Sequence, residues 1–528
     1  MIRPTTAISF AAVVVLALAP ALLFEGETPA APGRIVVVVT PHNEQIRSEF
    51  SIGFARWHRE RFGEQAEVRW STPGGTTEIR RMLIAQTEAA LQQGTTVGGQ
   101  ADIVFGGGSY EFDSLAKPVT IDGEPPRSAT VLAPCDWVTP ECLTEWYGPN
   151  DVAGKRIYDP KLYWFGAAFS TFGIVANTHR CEELGIDPPR RWEDLAQPAL
   201  CGNVILVNPS QSGSAATAFE TILQRLEWTR GWQVLRRAAA NSNHIIASSS
   251  VVPTKVGNGE SAVGVAIDFY GRYQVQALSD AAAKTGIGSI ARLEFVAPAG
   301  ESVVDPDPVA VLRGAPHPDM ARRFVEFCMS DEGQLLWQAA PGDADACGHP
   351  RPARYALRRL PSRRAVYECC SDCFVDKVNP FDERPMPATN PSYRDFVSTL
   401  FLPMAISHSA LLRDAWNRII SHPAYPKVQG VVSAEDVSDP QLKRWIAAFD
   451  AMPTAPGADG VELRLDRPAD LAAIRSGWLK GGFKDGGLWE ERDDPRMLLR
   501  RRFAAFFERQ YRSILADEQL ATVQSEGG

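Results

Sequence analysis

The sequence predicts an α/β protein built on parallel sheet, followed by a mostly helical C-terminal region. Three observations carry this. Short β-branched runs such as Ile35–Val39 and Val263–Ile267 have the composition of strands buried on both faces. Several such runs end in small or polar residues: Thr40 to Glu44, Ser71 to Glu78, Gly106 to Ser109 and Asn208 to Ser214. Helical spacing resumes after these endings, which is the β-α-β rhythm of a parallel sheet.

In order, Ile35–Val39 is followed by a helix whose apolar stripe is Phe50, Phe54 and Trp57. Glu67–Trp70 is a second strand, and its glycine turn feeds another helix. Ala101–Phe105 is the third. Phe165–Ala176 is expected as one long strand. Trp192 to Leu195 starts a helix, Asn203–Val207 is a strand, and a helix through Phe219 and Leu223 comes next. After Val263–Ile267 come a strand at Val309–Leu312 and a single helix over Pro318–Trp337. Pro341–Pro350 is loop-like and marks a boundary. Beyond it the chain is Arg-rich and helical in pattern, as in Ala410–Ile420 and Met497–Ile514.

At 528 residues the chain holds two or three domains. A formal charge of −9 and no Lys/Arg run with interleaved aromatics argue against nucleic acid as a partner. Arg3 precedes an uncharged apolar run from Ile8 to Phe24, with Glu25 and Glu27 after it. This is the layout of a secretory signal, and the run reaches the lower limit for a spanning helix. Residues 1–33 are therefore a signal peptide or an N-terminal membrane anchor. Either way the bulk of the chain is expected in the periplasm or at the cell surface. The nine cysteines fit an oxidising compartment. Expected disulfides are Cys135–Cys142 and Cys181–Cys201, with Cys328 the free thiol. The pairing of Cys347, Cys369, Cys370 and Cys373 stays open, and Cys370–Cys373 reads as disulfide chemistry rather than a zinc site.

The candidate site residues lie at carboxyl ends of strands, where open α/β sheets bind ligands. Val263–Ile267 stops at Asp268, and Tyr270, Arg272 and Tyr273 come at once after it. Ser212-Gly213-Ser214 opens a helix after a strand, where free N–H groups and the helix dipole favour an anion; the same residues also suit simple capping. Thr76 has the same two readings. Gly107 and Gly108 let the backbone approach a ligand or simply make a tight turn. His42 comes after the first strand. Enzyme signatures are missing: Gly148–Arg156 has the wrong spacing for a phosphate loop, and neither G-x-S-x-G nor HExxH occurs.

The stretches IVVVVTPHNEQI, ADIVFGGGS, FGIVANT, RWEDLAQPALCGNVILVNP, KVGNGESAVGVAIDFYG and DPVAVLRGAPHPDMARRFVEFCMSDEGQ resemble the bacterial extracellular solute-binding proteins of ABC importers. Within them the chain is most similar to the ferric-ion-binding cluster and its sugar-phosphate relatives. The resemblance implies a two-lobed type II periplasmic-binding-protein fold with crossing hinge strands over residues 34–345. Lobe one would be about 34–168 and 296–345, lobe two about 169–295. Residues 346–528 form a C-terminal extension that the resemblance does not cover. Iron-binding members use a His after the first strand, a Glu after the third and paired tyrosines after the strand matching Val263–Ile267. His42 and Tyr270 stand at two of these places, Gly107 or Gly108 at the Glu place and Gly271 at the second Tyr place. Asp268 is an oxygen ligand that could substitute.

The resemblance therefore implies a monomeric receptor, not an enzyme, delivering its solute to an ABC permease in the inner membrane. It has no cofactor, and Fe3+ is one candidate for the transported ligand, held by His42, Asp268 and Tyr270. A small anionic or polar solute, held by Ser212–Ser214 and the glycine loop, is the other. The competing class is a sensor or enzyme of the cell envelope whose active part lies in the extension.

Overall fold

The computed structural model describes residues 34–287, 292–344, 348–382, 390, 393–426, 430–457, 460–480 and 494–525. The expectations for residues 1–33 and for Cys347 lie outside them. Among the described residues no single helix is long and apolar enough to cross a membrane.

Of the fifteen strands among the described residues, thirteen set the architecture; the other two, Thr454–Pro456 and Glu462–Arg464, pair as a small hairpin beyond it. The first five are β1 (Ile35–Val39), β2 (Glu67–Ser71), β3 (Ile103–Phe105) and a surface hairpin, β4 (Pro118–Ile121) with β5 (Arg127–Thr130). Then come β6 (Phe165–Ser170), β7 (Phe172–Asn177), β8 (Val204–Val207), β9 (Ser242–Ile246) and β10 (Val263–Ile267). β11 (Leu293–Val296), β12 (Asp305–Val311) and β13 (Leu360–Pro361) complete the set. Two sheets result: one of order β13-β6-β12-β3-β1-β2, the other of order β11-β7-β10-β8-β9. Within the first, β1 is parallel to β2 and β3, and β12 runs antiparallel to β3 and β6. In the second, β8 is parallel to β9 and β10, and β7 runs antiparallel to β10. The molecule thus has two lobes, each a sheet with its helices.

The chain crosses between the sheets twice. The expected long strand at Phe165–Ala176 is two strands, β6 and β7, broken at Thr171 and belonging to different sheets. Its continuous apolar run is buried throughout, so hydrophobicity alone could not show the change of sheet. The return crossing joins β11 to β12, and the two crossings are laced together. Ser302 Oγ donates to the Phe172 carbonyl at 2.7 Å and accepts from the Phe172 N–H at 3.1 Å.

The principal helices are, in order, α1 (Glu44–Phe62), α2 (Thr76–Gln93), α3 (Ser109–Leu115), α4 (Gly213–Arg225), α5 (Trp228–Ala240) and α6 (Asp268–Thr285). They continue with α7 (Pro318–Met329), α8 (Asp331–Gln338), α9 (Tyr393–Phe401), α10 (Ser409–Ile420), α11 (Pro440–Asp450) and α12 (Pro495–Ser525). The single helix expected at Pro318–Trp337 is thus α7 and α8. Ser330 leaves helical geometry between them and its hydroxyl accepts from Gly333 N–H, making it the cap of α8.

The expected boundary at residue 345 does not end the first sheet, because β13 pairs with β6 through Leu360↔Phe169 and Pro361↔Ala168. The helices beyond residue 392 pack on the second lobe, chiefly against α4 and α5. There α5 buries two arginines. Arg237 makes two bonds to Asp450, at 2.6 and 2.9 Å, and a third to the Val432 carbonyl. Arg236 lies over the rings of Phe449 and Phe507.

The expected disulfides are not formed. Cys135 is a buried thiol in the first lobe, whereas Cys142 sits on the helix Pro140–Tyr147 against the Thr139 hydroxyl. Cys181 is buried, and Cys201 instead donates to Asn417 Oδ1 of α10 at 2.9 Å. Cys328 is a buried free thiol as expected, and the adjacent Cys369 and Cys370 are paired. Burial pushes the Cys135 thiol up to about 12 and Cys181 up to about 11, so neither offers the reactive thiolate at neutral pH. In native protein a maleimide should label the partly exposed Cys142 and Cys201 first. After denaturation without reductant, all four should label. Mass spectrometry of the labelled peptides reads both states, and blocked sulfurs after denaturation would restore the disulfide pairing.

Candidate functional site

A cleft of about 350 Å³ opens between the lobes. The first lobe lines it with Pro41 and His42 after β1, Gly74 to Thr76 after β2, Gly107 after β3, Asp307 of β12 and Arg359 before β13. Facing these, the second lobe presents Gln211 to Ser214 after β8, Ala247 to Ser250 after β9, and Ile267, Phe269 and Tyr270 at the end of β10. The rule that places ligands beyond carboxyl ends of strands is met from both sides.

Asp307 organises the first wall. It is 2% exposed, and its Oδ1 accepts from the Gly107 N–H at 2.7 Å. Its Oδ2 faces His42 Nε2 at 2.9 Å and pairs with the Arg359 guanidinium. Burial alone would push the carboxyl up, but Arg359 and His42 outweigh it and hold the pKa below the ordinary aspartate value. His42 is shifted down because burial disfavours imidazolium, with Asp307 opposing. Arg359 also reaches Ser170 Oγ at 2.7 Å, and its NH1 lies 3.0 Å from His42 Nε2, so Asp307 and Arg359 both face the same ring nitrogen. The other ring nitrogen, Nδ1, is buried with no hydrogen-bond partner among the described residues. Gly106 is required here: its φ is +93°, and a Cβ would stand 2.5 Å from His42 Nε2.

The second wall is built of hydroxyls and amide N–H groups. Ser212 caps α4 by accepting from the Ala215 N–H at 3.3 Å. Its hydroxyl meets Ser214 Oγ at 3.0 Å, which in turn meets Ser249 Oγ at 2.9 Å. Across the cleft α2 begins at Thr76, with Glu78 accepting from the Gly75 N–H at 2.9 Å. The two helix starts are in contact: a Cβ on Gly213 would overlap Thr76 Oγ1. The lobes are therefore closed, with the positive ends of two helices facing one solute-sized space.

Seven of the expected residues line this cleft: His42, Thr76, Gly107, Ser212, Gly213, Ser214 and Tyr270. Two do not. Gly108 lies behind Gly107, where a Cβ would be 3.0 Å from Asp305 Oδ2. Asp268 is fully buried; it accepts from Thr171 Oγ1 at 3.2 Å and from the Phe269 N–H at 2.8 Å, and its own N–H donates to the Thr171 carbonyl at 2.9 Å. It pins the crossing strand and is not positioned as a metal or solute ligand. Burial pushes its pKa up. Among the described residues no group of three or more His, Cys, Asp or Glu side chains is arranged to hold a metal. Arg359 NH1 lies 3.0 Å from His42 Nε2, so a cation at His42 would meet a guanidinium. Tyr270 is held as a neutral phenol by burial, which raises its pKa.

Sequence reasoning missed Arg359, Asp307 and Ser248–Ser250. Arg359 lies beyond the resembling stretches. Asp307 sits inside a strand rather than after one. The serine triplet comes after β9, whose sequence SNHII gave little strand signal.

Residues 145–351 match the model of the family described as bacterial extracellular solute-binding protein. The phosphoglycerate transport regulatory protein PgtC of Salmonella typhimurium is 25% identical over 299 residues, covering 54% of this chain and 64% of that protein. The chain thus spans less than two thirds of that relative's length. Among solved structures, the periplasmic binding protein AfuA from Actinobacillus pleuropneumoniae, with fructose-6-phosphate bound, aligns at a TM-score of 0.48 and 18% identity. The alignment covers 70% of this chain and 98% of that one. Iron-bound HitA from Pseudomonas aeruginosa aligns at 0.45 and 17% identity, covering 68% and 94%.

Replacing Asp307 by Asn leaves Arg359 buried without its counter-charge, a loss of about 3–5 kcal/mol when one partner of a buried pair is removed. Chemical denaturation of both proteins measures it, and equal midpoints and slopes would show the network to be idle. The pH dependence has a definite sign. His42 and Asp307 both have depressed folded pKa values, so their contribution is complete above the unfolded histidine value of 6.5. It is lost as pH falls, first through His42 and then, below 3.8, through Asp307. Because Asp307 raises the His42 pKa, the gap between wild type and Asp307→Asn should narrow only below 3.8, where Asp307 itself takes a proton.

Proposed function

We propose that the chain is an extracytoplasmic solute-binding receptor of an ABC-type importer, taking a small phosphorylated organic solute between its lobes and delivering it to a membrane permease. The observation that carries this is the apposition of the α2 and α4 starts, with Thr76, Ser212, Ser214 and Ser249 around them. Helix-start N–H groups and hydroxyls converging from both lobes suit the oxygens of an anion. The two carboxylates of the lining are already committed, Asp307 to Arg359 and His42 and Glu78 to Gly75. They therefore repel an anion less than free carboxylates would. The name of the similar Salmonella protein, a phosphoglycerate transport regulator, points to the same chemistry.

Ferric ion as cargo fits less well. Of the expected set, Asp268 is buried elsewhere and His42 is neighboured by Arg359. A sensing role for the extension has one observation in its favour. Arg394 of α9 reaches Glu111 of α3 in the first lobe and the Gly213 carbonyl and Thr217 hydroxyl of α4 in the second. A partner reading the extension would then read lobe closure.

Titration calorimetry with 3-phosphoglycerate, fructose 6-phosphate and ferric citrate tests the reading. A phosphorylated compound should bind, and Ser214→Ala with Ser249→Ala should weaken it about ten- to a hundredfold, the loss of one charge-assisted hydrogen bond. Ferric binding with a visible tyrosinate band that Tyr270→Phe abolishes, and no uptake of the phosphorylated compounds, would replace the proposal with iron.

A further inference from the structure

A second cavity, of about 120 Å³, lies where both lobes meet the extension. Five arginines line it: Arg80 and Arg81 from α2, Arg394 from α9, and Arg496 and Arg500 from α12. Thr77, one residue past the Thr76 that faces the cleft, also lines it, so the first turn of α2 separates the two cavities.

Among the described residues the charges in this cavity do not balance. Its two acidic side chains are Glu111 and Asp395. Glu111 pairs with Arg394 at 3.3 Å, while Asp395 pairs with Arg475 at 2.5 Å and Lys480 at 3.6 Å. Arg80, Arg81 and Arg500 form no ion pair with any described residue. Arg80 Nε and Arg500 Nε are buried with no hydrogen-bond partner among the described residues. Burial pushes the pKa of Arg500 down, and Arg496 and Arg81 add to it against the pull of Asp494. Like charges gathered in a partly desolvated space are unfavourable until an anion joins them. Planar guanidinium forks match phosphate oxygens, and the cavity is far smaller than the roughly 300–1,000 Å³ typical of drug-sized ligands.

We infer that this junction is a binding site for one tetrahedral oxyanion, a phosphate group, distinct from the cleft and shared by both lobes and the extension. The anion neutralises the arginines of α2 and α12 at once and so ties the extension to the first lobe. This holds whatever solute the cleft takes.

The test uses inorganic phosphate with the full chain at low ionic strength, followed by thermal unfolding and calorimetry. Wild type is compared with Arg81→Gln, Arg500→Gln and the cleft variant Ser214→Ala/Ser249→Ala. Arg81 is exposed, so its substitution disturbs no packing and reads phosphate binding alone. Phosphate should raise the unfolding temperature of wild type and of the cleft variant. Arg81→Gln should weaken phosphate binding about tenfold, and Arg500→Gln at least as much. In phosphate-free buffer Arg500→Gln should unfold no earlier than wild type, because it removes an uncompensated charge. The proposal is overturned if phosphate acts equally on the arginine variants and wild type, if only the cleft variant loses the effect, or if Arg500→Gln destabilises the phosphate-free protein.

Discussion

A carboxylate buried at 2% exposure survives only if its charge and lone pairs are met, and Asp307 meets them by gathering three separate segments. Gly107 N–H comes from the end of β3, His42 from the end of β1, and Arg359 from the turn before β13. The first-lobe wall owes much of its shape to this convergence. Arg359 in turn reaches Ser170 at the last residue of β6, immediately before the chain leaves the sheet. The anchor of the wall and the start of the hinge are therefore one connected network, which ties the position of the cleft lining to the position of the crossing strand.

The other half of the hinge depends on Asp268. Its carboxylate and its N–H both hold Thr171, the single residue between β6 and β7. The start of α6 is thereby fixed to the crossover, and Phe269 and Tyr270 are carried to the cleft edge with it. Phe269 lies beneath the Arg359 guanidinium at 4.3 Å, so the two lobes also touch through a cation–π contact.

The parts of this molecule legible in its sequence were those with local signatures. Buried strands such as Val263–Ile267 announce themselves by composition, and the residues just past a strand end are positioned by the chain itself. That is why His42, Thr76, Gly107, Ser212–Ser214 and Tyr270 all reach the cleft lining. Position after a strand does not say which way a side chain turns, however, and Asp268 turns inward. Asp307 and Arg359 are 52 residues apart in sequence and meet only through the sheet order β13-β6-β12, which no local pattern encodes. The change of sheet at Thr171 was hidden for a related reason, since strands buried on both faces look alike in either lobe.

The extension is joined to the second lobe through the buried Arg236 and Arg237 and reaches the first through Arg394. A closed form braced in this way has already met part of the free energy of closure. Separating the lobes requires the Arg394 guanidinium to give up its partners on one side, Glu111 if α9 stays with the second lobe. Opening of the cleft would then cost the rupture of a buried ion pair as well as the flexing of two crossing strands, and entry and exit would slow together.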